Sequence, residues 1–409
     1  MKRTVWLLTA TFPFGSGETF LEDEVLLWQE EPLVDLVISP MNGGGDRRGL
    51  PEGISLVGGM TSFTPFRKAW FVGVALFHRV FWSEILFLMK TRQISLWKVW
   101  AALKCTAQTL FCFAKYSRAI GDRGGVAYSY WNHAQAYAAV MLKRQGFLEK
   151  VVSRAHRFDL YQEQNRESYM PLKRQFLNGF DCIYVISDSA KEYVVRSYGV
   201  DASKVSVSRL GVPLSQKKSI QHNSSKVFHL LSVSFCTPVK RIDKIIEALA
   251  LVSRRRPTCA VRWTHIGDGV LFEQLQQQAK IRLQDTAVEY EMLGRLENRE
   301  VRGFLKDQFV DCFINTSDSE GVPVSIMEAM SFAVPSIAPN VGGVAELVSS
   351  QCGYLLVERA SVEQVATAIE YAIDNFRNPA IKEAARVKAE VCFNDQRNYR
   401  EFIQSIMAN

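Results

Sequence analysis

No Cys-x-x-Cys pair occurs in this sequence of 409 residues, and no histidine stands near a cysteine at the spacing of zinc ligands. The eight cysteines (Cys105, Cys112, Cys182, Cys236, Cys259, Cys312, Cys352, Cys392) are scattered. Several fall inside apolar, strand-like runs, where cysteine behaves as a small hydrophobe. A zinc-ribbon or disulfide scaffold is excluded, and the thiols read as reduced and structural in a cytosolic protein. No charge-free apolar stretch approaches the roughly 18 residues that span a bilayer. Residues Met1–Ala10 imitate a secretion signal, but the apolar part is too short and Pro13 ends it, so a first β-strand is expected there. No Asp-x-Asp metal motif stands at a strand end, and no internal repeat or low-complexity tract is evident.

What is present is globular material. Hydrophobic residues make up 47% of the chain and charged residues 22%. The length exceeds one ordinary core and suggests two domains of about 200 residues each. Strand-like and helix-like segments alternate twice. The first series has strands at 4–10, 33–39, 126–130, 151–155, 183–187 and 205–210, with helices at 18–30, 132–144, 168–179 and 189–198. Ser187 and Asp188 are natural caps for the last helix. A polar patch at 215–227 reads as a linker. The second series has strands at 229–234, 260–266, 288–293, 311–315, 334–338 and 354–357. Alternation of this kind predicts an α/β chain of two Rossmann-like, doubly wound domains with parallel sheets. The expected boundaries are 1–214 and 228–385, with a closing helix at 386–409 that packs back on the first domain. Ligand would sit at the carboxyl ends of the strands, in a cleft between facing domains.

The net charge of +7 is uneven. Residues 61–118 hold nine Lys or Arg (Arg67, Lys68, Arg79, Lys90, Arg92, Lys98, Lys104, Lys115, Arg118) against one acid, Glu84. The same stretch holds thirteen aromatics, among them Trp70, Phe71, Trp82, Phe87, Trp97 and Trp100. A basic, aromatic, helical segment can lie on an anionic membrane surface. It can equally be a set of domain helices whose apolar faces are core. No nucleic-acid-binding module accompanies the charge, so nucleic acid is not the expected partner.

The segment Glu320-Gly-Val-Pro-Val-Ser-Ile-Met-Glu328 puts two carboxylates eight residues apart around a helix start. Pro323 suits the first helical position, where its missing N–H costs nothing. Glu320 then lies on the preceding loop and Glu328 on the second turn. Free N–H groups at the helix start favour an anion such as phosphate. Alone, two such carboxylates could be no more than solvated side chains. The strand before them, the strand after them and Val341-Gly342-Gly343-Val344 give a phosphate-binding order used twice in succession. Gly15 and Gly17, after the first strand, would shape the acceptor side of the cleft. Glu18 and Thr19 could touch substrate there or merely cap the helix.

The segment 318–331, Asp-Ser-Glu-Gly-Val-Pro-Val-Ser-Ile-Met-Glu-Ala-Met-Ser, with Val341–Glu346, resembles the retaining glycosyltransferases of family 4, which have the GT-B fold. The resemblance continues through Ser232–Asp243, His265–Gly269 and Leu293–Leu296, and covers the C-terminal domain nearly completely. In the N-terminal half it rests on Phe14–Phe20, Ser153–Asp159 and Ser208–Val212. It implies that Glu328 holds the ribose hydroxyls and that Glu320 lies at the donor sugar. The backbone N–H groups of Gly321, Val322 and Val324 would meet the sugar and the diphosphate. Lys240 matches the lysine that neutralises the departing diphosphate, and His156 matches a histidine at the donor sugar. Gly294 and Arg295 match the place where the base packs. Where the family carries an arginine five positions before the lysine, this chain has Phe235, and Arg241 or Arg209 are candidates to share the charge. A guanidinium fork is not replaced by a phenyl ring. Ala333 stands where glycine is common.

The implied activity is transfer of a sugar from a nucleotide-diphosphate donor to a hydroxyl, with retention and without an essential metal or other cofactor. A lipid-linked saccharide acceptor in surface-polysaccharide synthesis (capsule, exopolysaccharide or O-antigen) is implied, at the inner face of the cytoplasmic membrane or in the cytoplasm. The rivals are a nucleotide-sugar epimerase of the same fold and a catalytically silent sugar-nucleotide binder, the latter supported by Phe235.

Overall fold

A computed structural model describes residues 2–15, 17–18, 21–58, 62–214 and 226–408. Most of the linker expectation, residues 215–225, and Thr19 lie outside the described residues. The chain divides into two compact units, residues 1–208 with 399–409, and residues 209–398.

Unit 1 contains β1 (Arg3–Thr9), α1 (Leu21–Gln29), β2 (Val34–Pro40), β3 (Ser55–Leu56), α2 (Pro65–Leu76), α3 (Arg79–Lys90) and α4 (Leu96–Ile120). It continues with β4 (Val126–Ser129), α5 (Ala134–Arg144), β5 (Lys150–Ala155), α6 (Lys173–Phe176), β6 (Cys182–Val185), α7 (Asp188–Tyr198) and β7 (Val205–Val207). The strands form one sheet in the order β3-β2-β1-β4-β5-β6-β7, every pair parallel. Parallel strands covered on both faces need apolar residues at successive positions, and β1 and β4 supply them. Alternate residues point to opposite faces. Trp6 and Leu8 pack toward the helices α2–α5, whereas Val5 and Leu7 pack toward Trp28 of α1.

Unit 2 contains β8 (Phe228–Val233), α8 (Ile242–Arg255), β9 (Val261–Ile266), α9 (Phe272–Leu283), β10 (Val288–Met292), α10 (Asn298–Asp307) and β11 (Cys312–Ile314). Then come α11 (Val324–Ser331), β12 (Ser336–Pro339), α12 (Val344–Leu347), β13 (Gly353–Leu356), α13 (Val362–Asn375) and α14 (Pro379–Cys392). Its sheet is again wholly parallel, in the order β10-β9-β8-β11-β12-β13. The edge strand β10 is the exception to two-sided burial, with exposed or half-exposed residues after Val288. Side chains close the helix starts: Glu297 with Glu300 on α10, and Ser361 with Gln364 on α13, form reciprocal capping boxes.

The final helix α15 (Asp395–Met407) begins in unit 2 and ends in unit 1. Its Tyr399, Phe402, Ile403 and Ile406 join the same core as Trp28 and Tyr128. The division falls at 398/399, so residues 386–398 belong to unit 2, where the sequence put them with the closing helix. Arg154 of β5 lies wholly buried over the Phe402 ring at 4.0 Å and pairs with buried Glu24 of α1 at 3.0 Å. No single helix among the described residues is long and apolar enough to cross a membrane. Helices α2 and α3 together have the length and composition of a broken span, bent by 64°.

Several local expectations shift. Helix α1 starts at Leu21, with the Leu21 amide donating to the Glu18 carbonyl at 3.1 Å. Only Lys173–Phe176 of the expected 168–179 helix is α-helical, because Ser168 and Leu172 hold positive φ. Pro323 is the cap residue just before α11, with ψ of 117°, so the helix opens one residue later than expected. Ser187 does cap α7, accepting from the Ala190 amide at 3.2 Å.

Candidate functional site

Strand order reverses between β8 and β11, which are adjacent and parallel, with their helices carried to opposite faces. Such a crevice at the carboxyl ends of the strands is where doubly wound sheets take ligands. Two loops meet there. After β8 the chain runs through a single turn at Pro238–Lys240 and a left-handed Arg241 (φ +50°) into α8. After β11 it runs from Asn315 through Glu320 to α11.

These loops are stitched together before any charge is considered. The Thr316 hydroxyl donates to the Lys240 and Arg241 carbonyls at 3.2 and 2.9 Å, and the Asp318 amide donates to the Val239 carbonyl at 2.8 Å. The Lys240 ammonium then reaches Glu320 Oε1 at 2.6 Å, and the same oxygen accepts from Asn315 Nδ2 at 3.0 Å. Asn315 is itself fixed by accepting from the Ser317 amide at 2.8 Å. The structure thus brings together Lys240 and Glu320, 80 residues apart in sequence.

The backbone amides of Gly321, Val322, Val324 and Ser325 donate to no acceptor among the described residues. They follow Glu320, the partner of Lys240, in the chain. A cation and a run of uncommitted N–H groups at a helix start form an anion site of the kind that holds phosphate.

Two glycines explain how the crevice closes. Gly342 has φ +55°, and a Cβ on it would lie 2.1 Å from the Glu320 carbonyl oxygen. The following Gly343 amide donates to the Gly321 carbonyl at 2.7 Å. The Gly-Gly pair therefore lets the turn after β12 press on the loop that carries Glu320. Gly267 does the same on the other side, since a Cβ there would lie 1.8 Å from the Ser234 carbonyl oxygen.

Glu328 lies on the second turn of α11 and is 6% exposed. Burial pushes its carboxyl up to about 7, against which Arg302 and a hydrogen bond from Asn298 pull down. Sequence reasoning missed both α10 partners; the signal was the Asn298–Arg302 spacing on one helix face. Arg241 is held by Asp243 at 3.1 and 3.0 Å and by Asp318 at 3.2 Å, so its charge is already matched. Arg209 pairs with Glu346 at 3.1 Å. Phe235 is 66% exposed. Gly294 has φ +71° and accepts from the Gly267 amide at 2.8 Å, while Arg295 reaches only Glu297 at 3.4 Å. Among the described residues, no group of three or more His, Cys, Asp or Glu is placed to hold a metal ion.

Unit 1 has its own strand-order reversal, between β1 and β4. Here Glu18 (φ +54°) turns back into its own loop: its carboxylate accepts from the amides of Ala10, Thr11 and Phe12 at 3.0, 2.7 and 2.7 Å, and from Trp131 Nε1 at 2.6 Å. Gly15 has φ +66°, and its amide donates to the Asp46 carbonyl at 3.0 Å. Gly17 offers its carbonyl to Arg48. His156, just after β5, stacks on Tyr130 at 4.7 Å and leans on Trp131 at 4.8 Å. Neither ring nitrogen has a partner among the described residues, although both are shut off from solvent. Burial, with Arg154 adding to it, pushes the imidazole down to about 3, so it is neutral at physiological pH. Asp159 supports this corner by accepting from the His156 and Asn132 amides at 2.6 and 2.5 Å. Lys173 binds Asn132 from beneath at 2.8 Å. Asp159 was visible only as the end of a motif, and Lys173 not at all.

Residues 215–388 match the family model of glycosyl transferases group 1. The putative colanic acid biosynthesis glycosyltransferase WcaL of Salmonella typhimurium is 28% identical over 63% of this chain and 64% of that protein. The amylovoran biosynthesis glycosyltransferase AmsK of Erwinia amylovora is 26% identical over 50% of this chain and 51% of that protein. The chain thus spans less than two thirds of either relative's length. In structure it is similar to the lipopolysaccharide outer core galactosyltransferase WaaB (TM-score 0.70, 16% identity, 99% of both chains). It is also similar to Anabaena HepE crystallised with UDP and glucose (TM-score 0.65, 16% identity, 100% of both chains). These likenesses establish the GT-B fold, two parallel-sheet Rossmann-like units. Residues 215–388 of unit 2 are thus similar to group 1 glycosyl transferases, within a chain of the GT-B fold.

Proposed function

We propose that the chain is a glycosyltransferase of surface-polysaccharide biosynthesis. It moves a sugar from a nucleotide-diphosphate donor to a saccharide hydroxyl with the anomeric configuration retained. One observation carries this reading: Lys240 and Glu320 sit 2.6 Å apart at the crevice of a group 1 domain, beside the uncommitted amides of Gly321, Val322 and Val324. Charge develops on the leaving diphosphate, and donors fixed in advance lower the barrier where that charge grows. Lys240 and the amides are those donors, without a metal ion. Binding of diphosphate would draw Lys240 from Glu320 and free that carboxylate for the sugar hydroxyls. Glu328, buried close behind, would take the ribose hydroxyls. Glycosidases that retain configuration use two carboxylates flanking the anomeric carbon. With Glu328 given to ribose, a front-side reaction in which the leaving phosphate accepts the acceptor's proton fits better. His156, neutral and with both nitrogens unpartnered, is suited to a hydrogen bond with a hydroxyl. Gly15, Gly17 and Glu18 shape the acceptor side.

The acceptor is proposed to be lipid-linked, with unit 1 resting on an anionic membrane face. In α2–α4 the apolar side chains Phe66, Trp70, Phe77, Trp82, Leu96 and Trp100 are each more than half exposed. Six exposed cations, Arg67, Lys68, Arg79, Lys90, Arg92 and Lys104, lie among them, and the segment's one acid, Glu84, is buried. A surface of aromatics and cations without acids of its own complements anionic lipid.

The test is product analysis by NMR after incubation with UDP-, GDP- and ADP-sugars and saccharide acceptors. A product of unchanged anomeric configuration is expected, with Glu320→Ala losing transfer while keeping nucleotide affinity. An isomerised sugar from donor alone would show an epimerase. Donor binding without turnover across the acceptors would show a silent binder, the outcome that exposed Phe235 would explain.

A further inference from the structure

Unit 1 holds a polar cavity, of about 580 Å³, between the α3–α4 corner and the 162–174 segment. Its volume falls in the range of small-molecule sites. One cation in its wall lacks a counter-ion among the described residues. Lys98 is only 8% exposed, yet its ammonium has no hydrogen-bond acceptor and no carboxylate within reach among the described residues. It faces the Tyr169 ring at 5.5 Å. It stands in the first turn of the 25-residue α4, whose dipole adds positive character there. Arg174, on the same cavity, donates to the Ser197 carbonyl at 2.7 Å and has no carboxylate partner either.

The carboxylates that line the cavity are engaged by other donors. Glu84 accepts from the Tyr169 hydroxyl at 2.8 Å, the Leu172 amide at 3.1 Å and Gln175 at 2.6 Å. Glu163 accepts from the Tyr193 hydroxyl at 2.7 Å, and Glu167 from the Ser95 hydroxyl at 2.5 Å. Glu163 and Glu167 keep lone pairs for further donors. The stem of Lys98 is buried while its ammonium opens on the cavity without a counter-ion, and an anion placed there would pair with it. A bare polyanion would be repelled by the two half-used carboxylates. A ligand with one phosphate for Lys98 and Arg174, and hydroxyls for Glu163 and Glu167, suits both.

We propose that this cavity binds the phosphate ester of a sugar, with Lys98 as the principal phosphate ligand and Glu163 and Glu167 holding ring hydroxyls. The choice of a sugar rests on the glycosyltransferase reading, whereas the phosphate rests on Lys98 alone. The ester can be a free sugar phosphate or the headgroup of a lipid.

Calorimetric titration of the full chain with glucose 1-phosphate tests it, in wild type, Lys98→Met and Lys240→Met. Flotation with phosphatidylcholine vesicles, with and without phosphatidylinositol, tests the lipid source. Wild type and Lys240→Met should bind alike, and Lys98→Met should lose affinity about tenfold or more, the loss expected for a charge-assisted hydrogen bond. Thermal unfolding confirms that the variant is folded, and Arg174→Gln serves if it is not. Binding that depends on Lys98 only in phosphatidylinositol vesicles assigns the site to a lipid headgroup. Binding of both probes that ignores Lys98 and Arg174, or no binding of either, overturns the proposal. Because Lys240→Met silences the unit 2 crevice, failure here leaves the donor site untouched, and failure there leaves this one.

Discussion

The two units carry parallel sheets with the same order of winding, unit 1 with one strand more, yet they spend their charges differently. At the unit 1 crevice the carboxylate of Glu18 is consumed by five donors of its own neighbourhood, and Arg154 of β5 is consumed by Glu24. At the unit 2 crevice Lys240 and Glu320 meet each other, and the amides that follow Glu320 meet no acceptor among the described residues. The first arrangement holds a fold in place; the second can be opened by a ligand. Equal topology therefore fixes where chemistry can happen, and the loop residues decide whether it does.

If that contrast is right, removing a charge should hurt stability in unit 1 and activity in unit 2. Glu24→Ala leaves Arg154 buried without its partner and should cost about 3–5 kcal/mol in denaturant unfolding. A cost near zero would break the comparison at its structural end. The second effect concerns Glu328, raised from 4.5 to about 7 by burial. Between those values the folded protein binds more protons at this site than the unfolded chain. Its contribution is therefore fully present below about pH 4.5 and is lost as pH rises through about 7. Unfolding of Glu328→Gln and wild type should diverge across that window, the variant gaining roughly 3 kcal/mol by alkaline pH. Parallel pH curves would mean the carboxyl is not buried as described. Smallest is the membrane effect. Lys68→Gln with Lys104→Gln should weaken binding to anionic vesicles by about 2 kcal/mol, roughly 30-fold, from about 1 kcal/mol per charge. Binding that ignores both charges would leave unit 1 no different from unit 2 in its surface.

The parallel strands were legible because a strand buried on both faces must be largely apolar, and Val5–Leu8 can hardly be anything else. Glu320 and Lys240 were legible through a resemblance, not through their 80-residue separation. What was hidden depended on tertiary closeness. β3 has only two residues, Ser55–Leu56, too few to show a period. Leu172 and Ser168 break an expected helix through backbone angles that composition does not reveal. Glu18 was weighed as a substrate contact or a cap, but its burial against Trp131 comes from a residue 113 positions away. Gly342 looked like one half of a phosphate turn, and only the 2.1 Å approach to Glu320 shows what it permits.

The central claim, that the unit 2 crevice grips a sugar nucleotide by its diphosphate, is tested most directly by calorimetric titration of wild type and Lys240→Met with UDP-, GDP- and ADP-sugars. At least one donor should bind wild type, with affinity falling about tenfold or more in Lys240→Met while the melting temperature holds. Equal affinity in both proteins, or no binding by any of the three donors, would contradict it.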